Sequence, residues 1–169
     1  VIYFVTKIKY KVFQFAPQQL DSLVIEDSNH SLVIEGHTED EYGSMGVIIG
    51  KYRETYSLET YFKSIYIGRD IVNDADSEHA NSPFERSRYS LTKLTIGPRV
   101  TELDNKLFYG MYNITEVNLS NVQSLGDETF GDCTSLKSVT FNKVKYIGNS
   151  TFYNCSALAN LDLPTTINS

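Results

Sequence analysis

The side chains best suited to chemistry in this chain are its histidines and the carboxylates beside them. Three histidines are present: His30, His37 and His79. His30 and His37 could form a metal cluster with Glu35 and Glu39, but this spacing matches no familiar zinc motif. The run SLVIE between the two histidines is typical of a strand, which favours ordinary surface histidines. We therefore predict that the chain binds no metal.

Two acidic stretches could hold calcium weakly, at 39–41 and 74–78. Neither has the central glycine and the terminal bidentate glutamate of an EF-hand loop, so solvated loop charge is the better interpretation. The sequence also contains no GxSxG motif, no phosphate-binding glycine loop and no CxxC pair. We predict no catalytic residues and no cofactor. The remaining enzymatic alternative is a hydrolase site in the loops that carry His37 and His79.

The two cysteines are informative through their positions. Cys133 and Cys155 occupy equivalent places in successive copies of a repeated segment, and Met111 fills that place one copy earlier. Neighbouring strands lie about 4.8 Å apart, so stacked copies would bring the two thiols near disulfide range. The exchange with methionine favours small buried hydrophobic side chains instead. A disulfide or a reactive thiol is the alternative.

The repeated segment is 22–23 residues long and dominates the second half of the chain. Its copies are LTKLTIGPRVTELDNKLFYGMYN (91–113), ITEVNLSNVQSLGDETFGDCTS (114–135) and LKSVTFNKVKYIGNSTFYNCSA (136–157), and a partial copy opens with LANLDLPTTI. A fixed period of this kind predicts one small unit stacked on itself as a solenoid. Strands one period apart run in the same direction, which predicts a parallel sheet.

Equivalent positions predict the elements of each coil. The triplets at 94–96, 117–119 and 139–141 alternate apolar and polar residues, which predicts a strand with one buried face. Leu125 and its equivalents predict a shorter strand on the opposite wall, and the Phe–x–x–Cys group predicts a closing turn of helix. The predicted core columns are Leu94, Val117, Val139, Leu161; Ile96, Leu119, Phe141, Leu163; Leu103, Leu125, Ile147; and Phe108, Phe130, Phe152.

Upstream of these copies the same pattern recurs loosely. The opening sequence of apolar–x–x–apolar–x–apolar is found at Leu20-Leu23-Ile25 and again at Phe62-Ile65-Ile67. A weaker copy is found at Val5-Ile8-Tyr10, close before the next one. Each of these openings predicts a strand of the main sheet.

Between these openings the chain is predicted to form solvated loops inserted between coils, at 29–59 and 73–90. The first of these segments holds two strand-like runs, SLVIEG and GVIIGK. Strand patterns resume directly after each segment, so neither is interpreted as a linker. We predict a single domain over 1–169, with irregular coils and inserted loops at 1–90 and regular coils at 91–169.

Composition and charge argue against several classes of partner. The chain has 169 residues, 41% of them apolar, and a net charge of −6. A nucleic-acid-binding protein would show a basic stripe, so we predict no nucleic-acid partner. No apolar run approaches the roughly 20 residues that span a bilayer, so no membrane insertion is predicted for this segment. The start, VIYFVTKIKYKVFQF, is interrupted by lysines and is predicted to be neither signal peptide nor anchor; we interpret the chain as part of a longer protein.

The regular copies resemble the BspA-type leucine-rich repeats of bacterial surface proteins. The residues that carry the resemblance are the Leu/Ile/Val-x-x-Val-x-Leu opening, SLGDETFGDC and YIGNSTFYNC. The resemblance is specific over 91–169 and looser over 20–90, where LDSLVIEDSNHSLVIEG and FKSIYIGRDI are similar to irregular coils of that family. It implies a right-handed leucine-rich-repeat solenoid that is mainly β with short helical turns. It also implies export to the cell surface and adhesion to host proteins or to other cells.

A binding face is predicted on the outward side of the main sheet, where equivalent positions stack into two polar rows. The predicted ligand-binding residues are Tyr66, Lys93, Thr95, Glu116, Asn118, Thr140 and Asp162. Solenoids use extended faces of this kind to bind partners. Beyond Tyr66 the rows have no aromatic or arginine anchors, so an ordinary solvated sheet face is the alternative. Tyr52, Tyr56 and Tyr61 are further candidate anchors.

Three functions remain open at this point. The first is a non-enzymatic, exported surface module that binds a protein or glycan of a host or neighbouring cell. The second is a structural spacer that presents another domain of a longer surface protein. The third is an enzyme. The resemblance and the extended polar face together favour the first.

Overall fold

A computed structural model describes residues 7–8, 21–35, 62–74, 82–165 and 167. Within these residues the regular structure is mainly strand, and one short 3₁₀ helix covers Glu85–Ser87. In chain order the strands are β1 (Lys7–Ile8), β2 (Ser22–Ile25), β3 (Leu32–Glu35), β4 (Ser64–Ile67), β5 (Ile71–Asp74), β6 (Lys93–Ile96), β7 (Glu102–Leu103), β8 (Glu116–Leu119), β9 (Ser124–Leu125), β10 (Ser138–Phe141) and β11 (Tyr146–Ile147).

The strands form parallel sheets on two walls, as the repeat predicts. The four-residue strands β2, β4 and β6 form one sheet in that order, and β8 pairs with β10 in a second sheet. The odd-numbered strands form a six-stranded sheet in the order β1-β3-β5-β7-β9-β11. Every ladder is parallel because each strand is followed by a strand on the other wall before the chain returns. The fold is that of a leucine-rich-repeat solenoid, and the predicted fold class is confirmed.

Equivalent residues of the regular copies lie beside one another. Val117 pairs with Val139 in the main sheet, and Leu125 pairs with both Leu103 and Ile147 on the opposite wall. One buried hydrophobic cluster extends from Leu23 to Cys155, so neighbouring coils share a continuous core. This arrangement supplies the apolar contacts that a single coil lacks.

The phenylalanine column is continuous over four coils. The ring centroids are 5.6 Å apart for Phe84 and Phe108, 5.5 Å for Phe108 and Phe130, and 5.8 Å for Phe130 and Phe152, and each pair is stacked. These separations are within the range in which aromatic pairs attract each other. The predicted stacking of Phe108, Phe130 and Phe152 is confirmed, and Phe84 extends the column upstream.

Both segments that were predicted to be inserted loops contain parts of the coils. Leu32–Glu35 is the strand β3, and Ile71–Asp74 is the strand β5, so both belong to the coils themselves. Ser82, Phe84 and Ser87 are buried, which makes this segment the closing part of a coil. The strand-like interpretation of SLVIEG is confirmed by β3. The prediction of a solvated loop was wrong for Asn73 and Asp74 and for the buried segment around Phe84, where Ser87 replaces the apolar Met111 and cysteines of the later copies and hides the repeat. The run GVIIGK lies outside the described residues.

Two further sequence predictions need correction. The weak copy at Val5-Ile8-Tyr10 is not an opening strand of the main sheet, because Lys7–Ile8 pairs with β3 in the six-stranded sheet. The described residues of the partial last copy, 158–165 and 167, form no strand, and Leu163, predicted to be a core residue, is 51% exposed. Pro164 directly after it has no N–H to donate to a parallel ladder, which disfavours strand pairing there.

The Phe–x–x–Cys segments of the regular coils are hydrogen-bonded turns without helix, so the predicted closing turn of helix was wrong there. The 3₁₀ turn at Glu85–Ser87 lies in the segment that was predicted to be a loop. Each turn places residues in the left-handed region at two equivalent positions. The first set has φ between 53° and 54° and comprises Lys106, Glu128 and Ser150; the second comprises Gly110, Asp132 and Asn154. The assignment of residues 1–169 to a single domain stays a prediction.

Candidate functional site

The predicted binding residues lie on the outward side of the main-sheet strands. Glu116 and Asn118 are exposed in β8, where they alternate with the buried Val117 and Leu119. Lys93 is exposed in β6, and Thr140 is exposed in β10. Side chains alternate across a strand, so burying the leucine and valine side places these polar side chains on the outer face. Whether this face binds a ligand stays a prediction.

The outward face consists of two parts. Tyr66 of β4 pairs with Thr95 of β6, and Asn118 of β8 pairs with Thr140 of β10. Between these parts, β6 and β8 are in contact but form no ladder. The interruption coincides with the coil whose GPR turn carries one extra residue. Apart from Asp162, the predicted residues therefore form two clusters, which are Tyr66 with Lys93 and Thr95, and Glu116 with Asn118 and Thr140.

Asp162, the last predicted residue of the face, lies outside both clusters. It is exposed, but it belongs to the partial copy that forms no strand. Its placement in a row of the main sheet was wrong for the same reason as the core placement of Leu163. The outward face ends with β10 among the described residues.

Tyr66 is less available than its outward position suggests. Its hydroxyl donates to Oδ1 of Asp27 at 2.8 Å. A Cβ atom at Gly97 would lie 2.6 Å from the Tyr66 hydroxyl oxygen, so the ring reaches across that glycine. Burial, followed by the hydrogen bond to Asp27, raises the pKa of Tyr66. These contacts make Tyr66 a link between coils as well as a member of the face.

A cavity of about 190 Å³ opens on the opposite wall, where β5 and β7 share the single register pair Ile71 and Leu103. Carboxylates replace the missing backbone hydrogen bonds. Asp70 accepts from the backbone N–H groups of Thr101 at 2.6 Å and Glu102 at 2.9 Å, and from the Thr101 hydroxyl at 2.9 Å. The acidic lining of this cavity therefore has a structural role.

Asp104, which directly follows β7, accepts backbone hydrogen bonds in the same way as Asp70. Its Oδ2 accepts from the Asn73 backbone N–H at 2.9 Å, and its Oδ1 accepts from the Asn105 N–H at 2.7 Å. Carboxylates that accept backbone hydrogen bonds are held in place by those donors. Among the described residues, no group of three or more His, Cys, Asp or Glu side chains converges as metal ligands.

Both cysteines are free, buried thiols, which confirms their interpretation as small core side chains. Cys133 donates from Sγ to the Phe108 carbonyl oxygen at 3.3 Å, and Cys155 donates to the Phe130 carbonyl oxygen at 3.2 Å. Burial raises the pKa of Cys133, and it raises the pKa of Cys155 to about 11. Thiols with raised pKa values are protonated at neutral pH and are poor nucleophiles.

The histidines do not form a site in the described part of the chain. His30 is exposed, and its backbone N–H donates to the Ser28 hydroxyl at 3.1 Å. His37 and His79 lie outside the described residues, as do Tyr52, Tyr56 and Tyr61. Within the part of the chain that the structure covers, no helix has the length and apolar character needed to cross a bilayer.

A group of tyrosines on the closing turns was not predicted from the sequence. Tyr89 is 70% exposed, and its ring centroid lies 5.0 Å from that of Tyr112. Nearby, the Tyr109 hydroxyl donates to the carboxylate of Asp132. That hydrogen bond is the main reason why the pKa of Tyr109 is raised to about 12. The later copies carry Thr134 and Ser156 at the position of Tyr112, which was the available sequence signal, whereas the position of Tyr109 is Gly131 in one copy and Tyr153 in the next.

Comparison with known proteins identifies one family. The family described as "BspA type Leucine rich repeat region" matches residues 80–169 in six copies. This span is more than half of the chain. No match was found among curated proteins or among solved structures.

Proposed function

The chain belongs to the BspA-type leucine-rich-repeat family, and from this premise we propose that it is an exported, non-enzymatic module that binds a host or microbial macromolecule at a cell surface. Repeat regions of this family serve protein–protein interaction in general, are typically non-catalytic, and occur in surface or extracellular proteins. Adhesion, the kind of partner and attachment to a cell are proposed in addition to these family properties.

The observation that carries the proposal is the exposed polar face on a rigid, shared core. In β8 and β10, register partners place Glu116 beside Ser138 and Asn118 beside Thr140, with the outward side chains exposed. Their backbone is fixed by a four-pair ladder and by buried side chains beneath. A preorganised surface loses little conformational freedom when it binds a partner. The same face is proposed to accept an extended protein or glycan.

The test uses an array of matrix proteins and glycans probed with the folded protein. We compare Glu116→Arg on the outward face with Glu102→Arg, which makes the same charge change at the exposed first residue of β7 on the opposite wall. We expect Glu116→Arg to abolish or redirect the array signals and Glu102→Arg to leave them unchanged. A folded protein without array signals, or equal signals from both variants, would contradict the proposed face.

The alternative function is a structural spacer that holds another domain of a longer surface protein. It is favoured by the outward face beyond Tyr66, which lacks the tryptophan, tyrosine or arginine anchors that dominate interface energies. The full-length gene separates the two functions. A distinct domain beyond the repeats supports the spacer, whereas an array that forms the distal end supports binding.

A further inference from the structure

The tyrosines of the closing turns form a surface that the repeat does not need. Tyr112 occupies a position that Thr134 and Ser156 fill in the next two coils, and the position of Tyr109 is filled by Gly131 and then by Tyr153. A coil with a small residue at either position is built in the same way, so neither ring is required by the fold. Tyr89, one coil earlier, is 70% exposed. Large exposed aromatic side chains with no packing role are typical of interaction surfaces.

Contacts within this group make it one continuous patch. The rings of Tyr89 and Tyr112 are 5.0 Å apart and inclined by 34°. The Tyr112 hydroxyl oxygen lies 4.0 Å from where a Cβ atom at Gly110 would be, and Tyr109, the residue before that glycine, donates its hydroxyl to Asp132. We call these four residues, Tyr89, Tyr109, Tyr112 and Asp132, the tyrosine patch.

The patch is held in place by its backbone neighbours. The Tyr112 N–H donates to the Arg88 carbonyl oxygen at 3.0 Å, and the Asn113 side-chain amide donates to the Tyr89 carbonyl oxygen at 2.6 Å. The Tyr109 ring lies against Gly131, where a Cβ atom would be 2.9 Å from the ring. A preorganised aromatic surface loses little entropy on binding.

Charge around the patch favours a cationic occupant. The carboxylates of Asp132 and Glu128 both act on Tyr109 and raise its pKa. Two neighbouring cations are paired, because Arg88 pairs with Glu85 and Lys106 lies 3.9 Å from Glu128. The Asp132 carboxylate accepts from the Tyr109 hydroxyl and, at 2.9 Å, from the Asn154 side-chain amide; both donors are neutral, so among the described residues its negative charge is not paired with a cation, and the whole chain carries −6. Aromatic faces beside a carboxylate attract ammonium and guanidinium groups through cation–π and ionic interactions.

We propose that the tyrosine patch binds a basic segment of a partner protein, in which arginine or lysine side chains lie against Tyr89 and Tyr112 and face the Asp132 carboxylate. This inference rests on the proposed function in one respect, which is that the module binds a macromolecular partner. It concerns a different surface from the outward face of the main sheet. Tyrosine and arginine are also the residues that most often dominate binding at interfaces.

The test measures binding of a fluorescent peptide built of Arg-Gly-Ser repeats by anisotropy. The test variant combines Tyr89→Ser with Tyr112→Thr, because threonine is the natural residue at the second position one coil later. The control is Tyr146→Ser, which removes another exposed tyrosine (53% exposed) from β11 on the six-stranded sheet. All three proteins have the same net charge, so nonspecific attraction to the peptide is unchanged among them.

We expect the double variant to bind the peptide about tenfold more weakly than the unmodified protein, and Tyr146→Ser to bind it equally well. Asp132→Asn should also weaken binding. If the double variant fails to fold, Tyr89→Ser alone carries the test, because that side chain is mostly solvated.

Equal affinities of the double variant and the unmodified protein would overturn the inference. So would equal binding of an Asp-Gly-Ser peptide of the same length. Displacement of the basic peptide by a neutral oligosaccharide would reject the basic protein segment as the occupant and indicate a glycan. Loss of array signals in Glu116→Arg with retention of peptide binding would leave the tyrosine patch standing, so the two proposals fail separately.

Discussion

The regular coils and the coils before them use different means to hold neighbouring strands together. In the regular coils, a side chain accepts a hydrogen bond from the backbone of the equivalent residue one period later. The Asn105 side chain accepts from the Asp127 N–H at 2.7 Å, and the Asp127 side chain accepts from the Asn149 N–H at 2.6 Å. In the upstream coils, single contacts such as Arg69 Nε to the Glu26 carbonyl oxygen at 3.0 Å take this role.

The difference follows from the spacing of the coils along the chain. Partners in the regular region are separated by one period of 22 residues, so each contact can be repeated in the next coil. Upstream, Leu23 pairs with Ile65 and Ile65 pairs with Leu94 across longer and unequal separations. Equivalent strand positions still pair in register there, but the side chains that link neighbouring coils are of unlike types. A repeat stabilises its fold by many similar contacts, and an irregular coil depends on a few particular ones.

The largest expected effect is in the regular region, at the phenylalanine column. Phe130→Ala removes a fully buried ring that is stacked on both sides, and we expect it to lower the free energy of unfolding by about 3–5 kcal/mol. Chemical denaturation of the purified protein measures this. Tyr153→Ala, at a residue that is 65% exposed, is the control and should change the stability by less than about 0.5 kcal/mol. Similar denaturation midpoints for the two variants would disprove the stacking of the phenylalanine rings in a buried column.

The next effect is in the upstream region, where one carboxylate replaces several backbone contacts. Asp70→Asn replaces Oδ2, which accepts from the Thr101 hydroxyl, by an amide donor, and it removes the charge that strengthens the bonds from the Thr101 and Glu102 N–H groups to Oδ1, so we expect a loss of about 1–3 kcal/mol. Asp21→Asn is the matched control, because Asp21 forms an exposed pair with Lys63 at 3.1 Å. Exposed pairs contribute about 0–1 kcal/mol. An equal loss of unfolding free energy in the two variants would mean that the Asp70 hydrogen bonds contribute no more than an exposed ion pair.

A third prediction concerns the buried thiols, which occur only in the regular region. The pKa of Cys155 is raised to about 11 and that of Cys133 is raised by burial, so both thiols stay protonated in the folded chain at neutral pH. Unfolded thiols ionise at lower pH than these folded ones, so their contribution to stability is intact at neutral pH and is lost as the pH rises toward about 11. We expect iodoacetamide to alkylate the native protein far more slowly than the denatured protein at neutral pH. Equal rates would contradict the burial of these side chains.

The smallest expected effect is a stabilisation at the left-handed turn positions. Ser150 has φ 54°, and Ser150→Gly removes the cost of a side chain in that conformation. Glycine also loses more backbone entropy on folding, so we expect a net gain of about 0.5 kcal/mol. Lys145→Gly, outside the set of positive-φ residues, should instead destabilise the protein by a similar amount. A thermal melting series of the two variants checks the opposite signs.

The period made the regular region predictable in detail. Val117, Leu125 and Phe130 could be placed from their spacing alone, because each recurs in neighbouring copies and the period fixes its wall. The glycines after the short strands fit the same logic. A Cβ atom at Gly148 would lie 2.5 Å from the backbone of Gly126, so only glycine is accommodated at this approach of two coils.

Prediction failed where a residue of another type fills an equivalent place. Ser87 is buried at the end of its coil, where the later copies carry Met111 and the cysteines, and its hydroxyl accepts from the Phe62 N–H at 3.1 Å. A polar residue satisfied by one distant backbone group has no local sequence pattern. The tyrosine patch was overlooked for a related reason, since its rings come from neighbouring coils and their proximity depends on the register.

The most direct test of the account is whether equivalent rings lie against one another in solution. Nuclear Overhauser effects can be recorded on protein with isotope-labelled phenylalanine, between the ring protons of Phe108 and Phe130 and between those of Phe130 and Phe152. Centroid separations of 5.5 and 5.8 Å predict cross-peaks for both pairs. A folded protein without either cross-peak would contradict the stacking of the coils, and with it both proposed binding surfaces.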